Sequence, residues 1–259
     1  MKEVNTENYY TLEMNLLYNS VSQFKSFKKC EAETMAELRE IYKPPESRAY
    51  LVGRYMDAKW SPDEMPELIA EHKADLYKKD GTPRADILAA DIAYDRAYSD
   101  PVFRHYVADA EHQKIFTGEI AGTPWKCKLD AYHKHECIVD LKYMANIDPV
   151  WIDGEKKTFL EKYGYITQMA VYQELTYQNT DEKLPCYIAV ITKETTPRIA
   201  IIKLPQFLLD SEMAVVEHYA PIYQEIKDGK REPTRCEVCD YCRSTYKVEP
   251  ITYEKLLME

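Results

Sequence analysis

The chain has 259 residues, room for one large domain or two small ones around a sizeable buried core. Charged residues make up 30% and apolar residues 45%, a balance that excludes a disordered chain, and the formal net charge of −10 argues against a protein that coats nucleic acid through bulk positive charge, though not against a local basic channel. No apolar run reaches the length of a membrane span and the start "MKEVNTENYY" has no signal-peptide character, so no membrane role and a cytoplasmic location are expected.

Helical spacing comes first along the chain. Residues 19–41, "NSVSQFKSFKKCEAETMAELREI", read as one or two helices with Ser20 or Ser22 as N-cap. "KPPES" breaks that run. "RAYLVGRYMDAKW", "MPELIAEHKADLYKKDG", "TPRADILAADIAYDRAYSD" and "DPVFRHYVAD" supply four more helices, the third of them with a proline in its first turn. The pattern then changes. Between about 112 and 143, "QKIFTGEI", "PWKCKLDAY" and "CIVDLKY" read as strands turned by "AGT" and "HKHE". Residues 163–179 return to helical spacing, and "PCYIAVITKE" and "RIAIIKL" are β-branched strands joined at "TTP". A long helix follows, kinked or interrupted near Pro221, and then the polar, cysteine-rich tail "REPTRCEVCDYCRSTYKV". This order predicts one α/β domain over 1–259: a helical N-terminal part (1–110), a mixed sheet flanked by helices (111–204), and a C-terminal helix with the tail (205–259).

Charge inside the strand "CIVDLKY" needs a reason. Side chains two apart on a strand share a face, so Asp140 and Lys142 point the same way. Asp130 ends the preceding strand, and a tight turn at "HKHE" folds it back beside Asp140. Two carboxylates on a rigid sheet offer hard oxygen ligands to magnesium or manganese, and an adjacent ammonium can orient water or stabilise charge on phosphate. A solvated edge hairpin with internally paired charges fits the bare spacing equally well. Apolar residues on both faces of "CIVDLKY" favour a central strand, where unpaired charge is costly.

"KLDAY", "IVDLKY" and the later "YITQMAVYQEL" together resemble the PD-(D/E)xK nuclease superfamily in its RecB-like and RecE-like branch, closest to phage exonucleases similar to RecE and lambda exonuclease. The resemblance implies a restriction-endonuclease-like core. It also implies that Asp130 and Asp140 bind metal, that Lys142 serves the nucleophile, and that Gln168 and Tyr172, four apart on one helix face, support the site. The branch's earlier glycine-x-x-x-histidine or acid element matches Gly53 and Asp57, with an aspartate where histidine is usual, making Asp57 a third metal ligand. Glu111 and Glu119 stand in reserve.

"CEVCDYC" spaces Cys236, Cys239 and Cys242 three apart, a soft-metal pattern short of a fourth ligand. In some RecB-like nucleases one N-terminal and three C-terminal cysteines hold a four-iron four-sulfur cluster. By that resemblance Cys30 joins the trio, with zinc as the second choice and a metal-free tail as the bland reading. Cys127, Cys137 and Cys186 fall in strands and are expected in the core.

Lys126, Lys128, Lys134, Lys156, Lys157, Lys162, Arg54 and Lys59 are candidates for DNA phosphate contacts, and His133 and His135 are expected exposed in a turn. The reading is a magnesium-dependent deoxyribonuclease. The resemblance adds a phage or prophage recombination exonuclease acting on duplex ends, with a single-strand annealing protein as partner and ring-shaped homo-oligomers among similar enzymes. The alternatives are an endonuclease or repair nuclease of the same fold, a non-catalytic DNA-binding protein with a structural cysteine site, and a metal-bound interaction protein.

Overall fold

Side-chain caps set the start of most N-terminal helices in the computed structural model, which describes residues 2–152, 154–248 and 250. The end of the expected cysteine-rich tail, 251–259, lies outside the described residues. Thr11 caps α1 (Leu12–Leu17), Ser20 caps α2 (Val21–Lys29) and the Cys30 sulfur caps α3 (Glu31–Leu38). The run expected over 19–41 is therefore two helices, separated where Cys30 takes an extended backbone. Ser47 caps α4 (Arg48–Trp60), which coincides with "RAYLVGRYMDAKW". α5 (Met65–Leu76), α6 (Ala85–Tyr98) and α7 (Pro101–Val107) follow; Pro83 precedes α6 and does not sit in its first turn.

Next come β1 (Glu111–Ile120), β2 (Thr123–His133) and β3 (Cys137–Met144). The connection after β3 carries a small hairpin of β4 (Val150–Ile152) and β5 (Glu155–Lys157), then α8 (Phe159–Lys162) and α9 (Tyr165–Thr180). β6 (Cys186–Thr192), β7 (Ile199–Lys203), α10 (Gln206–Lys227) and α11 (Asp240–Ser244) complete the described elements. α10 runs through Pro221 without interruption. The sheet order is β1-β2-β3-β6-β7, all neighbours antiparallel except β3 and β6. This is a restriction-endonuclease-like α/β fold: a helical N-terminal region, then a mixed sheet flanked by helices. Among the described residues no helix is long and apolar enough to cross a membrane.

Both faces of β3 are buried, as its parallel pairing with β6 requires. On one face Ile138 and Met144 join Phe24, Phe27, Met169, Leu175, Val216 and Tyr223 from α2, α9 and α10. On the other, Val139 and Leu141 join Leu51, Met56, Ile87 and Phe103 from α4, α6 and α7. Each fully buried aliphatic side chain contributes about 1.5–3 kcal/mol, so these two layers fix β3 between helices on both sides. α9 is seated by one close approach. A Cβ at Gly118 of β1 would collide with Gln178 and Leu175 of α9, and Gln178 exchanges hydrogen bonds with the Glu119 backbone N–H and C=O at 2.9 and 2.7 Å.

β2 is not a uniform strand. Cys127 and Leu129 face the α9 layer, yet so does Tyr132, while Ala131 faces the α4 layer. The facing parity switches at Asp130. Opposite it, between the pairs His112↔Ala131 and Lys114↔Leu129, Gln113 takes a left-handed φ of 54°. A local irregularity of this kind re-aims a side chain out of the regular alternation.

Candidate active site

The sheet forks at the acids. The β2–β3 ladder runs His133↔Cys137, Tyr132↔Ile138, Ala131↔Val139 and stops there. Asp130 and Asp140 are the next residues on the two strands. Asp130 does not end its strand as expected; β2 continues through His133. The turn at "HKHE" nonetheless brings the two acids together. Asp130 Oδ2 accepts the Leu141 backbone N–H at 2.9 Å, taking a donor that a longer ladder would have used.

Asp140 is 1% exposed, and Lys142 on the same face of β3 brings Nζ to 2.5 Å from its Oδ2. That contact is a tight ion pair, and among the described residues the buried Oδ2 meets no donor other than Lys142. The other oxygen, Oδ1, accepts from the Gln168 amide at 2.7 Å, and the same amide donates to Tyr172 Oη at 2.9 Å. Gln168 and Tyr172 thus share the α9 face that looks at β3, as their spacing requires. α9 opens at Gly164, whose left-handed φ of 62° and close neighbour Lys25 Cδ, 3.1 Å from any Cβ, leave little room for another residue.

Asp57 reaches the cluster from α4. Burial raises its pKa to about 7, with Asp140 and Glu64 adding to the rise and Lys142 and Lys128 opposing it. Burial also holds Asp130 well above the ordinary carboxylate range, reinforced by Asp140 and Asp57. For Lys142 burial works downward, but Asp140 and Asp130 outweigh it and keep the ammonium charged. Tyr172 is pushed up by burial and then by Asp140 and Asp130. Three carboxylates therefore share one partly desolvated space with Lys142 as their common cation. That crowding of acids, which burial and mutual repulsion hold above their ordinary range, suits a hard divalent ion. The set is not pre-closed. Among the described residues only the four cysteines bring three or more potential ligand atoms within 4.8 Å of one another. Asp130 and Asp140 are each turned to a partner of their own, Leu141 N–H and Gln168 with Lys142.

Several neighbours were not legible in the sequence. Lys25 of α2 donates to the Tyr163 carbonyl at 3.0 Å and lies 5.5 Å from the Tyr165 ring centroid; Lys142 lies 5.1 Å from the same ring. Burial lowers the Lys25 pKa to about 8, helped by Lys142 and opposed by Asp140. Glu64 pairs with Lys128 at 3.3 Å beside Asp57. Only tertiary packing brings α2 and the Glu64 turn here, and no local spacing signals it.

The remaining candidates divide, with Lys126 and His133 corrected. Lys126 cannot meet phosphate: it is 1% exposed and its ammonium is taken by the Tyr9 carbonyl and by Asn15 Oδ1. Arg54 pairs with Glu71 and Lys59 with Asp91. Lys134, Lys156 and Lys162 are exposed, and Lys157 is half-buried. His133 is buried against the Tyr106 carbonyl, because β2 runs on through it; His135 is exposed beside Glu182. Glu111 is exposed and pairs with Lys114, and Glu119 is exposed, so neither joins the site.

The cysteines form a second centre. Cys30, Cys236, Cys239 and Cys242 converge into a cluster capable of coordinating a metal ion. Cys30 and Cys242 are buried, and Cys236 and Cys239 half-buried. The backbone N–H groups of Val238 and Cys239 bring the Cys236 thiol down to about 7. Cys127, Cys137 and Cys186 lie in the core, as expected.

Residues 20–245 match the PDDEXK-like domain of unknown function (DUF3799). A crystal structure of a "putative exonuclease" from Eubacterium rectale is 36% identical, with a TM-score of 0.93 over 99% of this chain and 98% of that one. The crystal structure of SSO0001 gives 13% identity over 86% of this chain and 98% of that one, and its TM-score of 0.29 carries no argument. No curated protein matches the chain.

Proposed function

The chain belongs to the PDDEXK-like family, and from that premise and the carboxylates gathered around Lys142 we propose that it is a magnesium-dependent deoxyribonuclease. The observation that carries this reading is the Asp140–Lys142 pair, buried at the fork of the sheet with Asp130 and Asp57 in its field. Asp57, Asp130 and Asp140 would hold the ion. A bound magnesium or manganese ion would polarise the scissile phosphate and lower the pKa of water.

The chain's own residues have separable tasks. Gln168 fixes the Asp140 carboxylate through Oδ1 and leaves Oδ2 turned toward Lys142. Lys142, whose charge the two neighbouring carboxylates favour, would act as a charge stabiliser and water-orienting donor. Tyr172 holds the second proton of the Gln168 amide and so keeps Gln168 on Asp140. Exposed Lys134, Lys156 and Lys162, with half-buried Lys157, are left for phosphate contact.

The mode proposed is exonucleolytic attack on duplex ends, of the RecE-like kind that serves phage recombination through an annealing partner. The likeness to the Eubacterium rectale "putative exonuclease" supports the mode. End-labelled linear duplex DNA and a covalently closed circle, each incubated with magnesium, test it. Degradation of the linear form alone is expected. Cutting of the circle would make the protein an endonuclease, and binding without turnover would make it a non-catalytic DNA-binding protein.

A further inference from the structure

We propose that Cys30, Cys236, Cys239 and Cys242 bind one zinc ion in a closed tetrahedral thiolate site, and not the four-iron four-sulfur cluster that the RecB-like layout implies. The spacing of the sulfurs selects a single ion. Cys30 Sγ lies 3.6 Å from Cys242 Sγ and 3.8 Å from Cys239 Sγ, and all four sulfurs lie within 4.8 Å of one another. Zinc–thiolate bonds of about 2.3 Å placed tetrahedrally put neighbouring sulfurs about 3.8 Å apart. In a cubane each thiolate sits on a different iron corner, which separates the sulfurs by roughly 6 Å. Four sulfurs packed within 4.8 Å enclose a single ion and leave no space for eight cluster atoms.

The scaffold is already assembled by the protein's own hydrogen bonds. Cys30 caps α3 and receives the Glu33 N–H at 3.4 Å; Cys239 caps α11 and receives the Cys242 N–H at 3.4 Å; Cys236 receives the Cys239 N–H at 3.3 Å. Three of the four sulfurs thus accept a backbone donor, which stabilises thiolate charge. The Cys236–Cys239 turn closes through Glu237 at a left-handed φ of 59°. Around it two segments distant in sequence are joined directly. Thr234 N–H donates to Glu31 at 2.7 Å, and Ala32 N–H donates to the Thr234 carbonyl at 3.1 Å. The Arg235 guanidinium, ion-paired with Glu237 at 2.7 Å, donates to the Cys242 carbonyl and so ties the two halves of the tail together. With four protein ligands the site has no open position, which makes its role structural. It fastens the tail to α3, and α3 continues from α2, which carries Lys25 to the carboxylates. The proposal does not rest on the nuclease reading.

Metal analysis decides it. The full chain, purified anaerobically from cells supplied with both iron and zinc, is expected to carry about one zinc per chain and no inorganic sulfide. Cobalt(II) exchanged into the site is expected to give the visible d–d absorption of a tetrahedral tetrathiolate. Cys239→Ser, at a half-buried position, is expected to weaken cobalt binding at least tenfold while leaving the far-ultraviolet circular dichroism unchanged. About four irons with matching sulfide per chain would overturn the proposal. A chain that carries no metal and takes up neither zinc nor cobalt would overturn it as well.

Discussion

The four cysteines and the three carboxylates answer opposite demands. The thiols converge to within 4.8 Å of one another around backbone donors and turn geometry, while Asp57, Asp130 and Asp140 do not form such a closed group. Asp130 is held by a backbone N–H, Asp140 by a side-chain amide and an ammonium, and Asp57 arrives from a separate helix. A closed donor set fastens chain segments together. An open one, with its charge only partly balanced by Lys142, would keep room for a substrate oxygen and water under the proposed function. The comparison teaches that ligand identity matters less than what already occupies each ligand.

The two centres should therefore fail differently when altered. Lys142→Ala removes the only ammonium in contact with Asp140 among the described residues, and hydrolysis of linear duplex DNA should fall by about 10²–10³-fold or more. Near-normal turnover in that variant would end the role assigned to Lys142. Gln168→Ala frees Asp140 Oδ1 without touching a ligand, and a loss of about 10–100-fold is expected, with a raised magnesium requirement. An unchanged magnesium titration would show that the amide does not position the carboxylate.

Stability separates the centres in the other direction. Stripping the cysteine site with a strong zinc chelator should lower Tm by about 5 °C or more, whereas withholding magnesium should stop hydrolysis and leave Tm nearly unchanged. Equal Tm in both treatments would remove the distinction between a structural and a catalytic centre. A second effect on stability is expected at Asp57. Its folded pKa, near 7, lies above the unfolded value, so the carboxyl favours the fold below about pH 4 and that contribution is lost as pH rises toward 7. In magnesium-free protein Asp57→Asn should raise Tm at pH 8 by about 2–4 °C for each kcal/mol recovered, and the gain should vanish at pH 4. A gain that persists at pH 4 would show that ionisation of Asp57 is not its source.

Much of this layout is legible in the residues, and the remainder has an identifiable physical origin. α4 matches its expected span because Ser47 caps it and Ser61 ends it, both local signals. The hairpin that joins Asp130 to Asp140, and the shared face of Gln168 and Tyr172, follow from strand and helix periodicity. The parity switch at Asp130 does not, because it depends on how Gln113 sits across the ladder. Lys126 reads as a surface lysine in a strand, yet the segment carrying Tyr9 and Asn15 covers it. β4 and β5 are three residues each, too short to show an alternation. Lys25 is invisible for the same reason as Lys126: packing from a distant segment, not spacing, brings it to the site.

The central claim is that Asp130, Asp140 and Lys142 work around a hard cation on a phosphodiester. Release of labelled nucleotide from linear duplex DNA, followed across a magnesium titration for the wild type and Asp140→Asn, tests it most directly. The account predicts saturable, magnesium-dependent release by the wild type and none above background by the variant at any magnesium concentration. Equal release by both proteins, or release by the wild type in excess chelator, would contradict it.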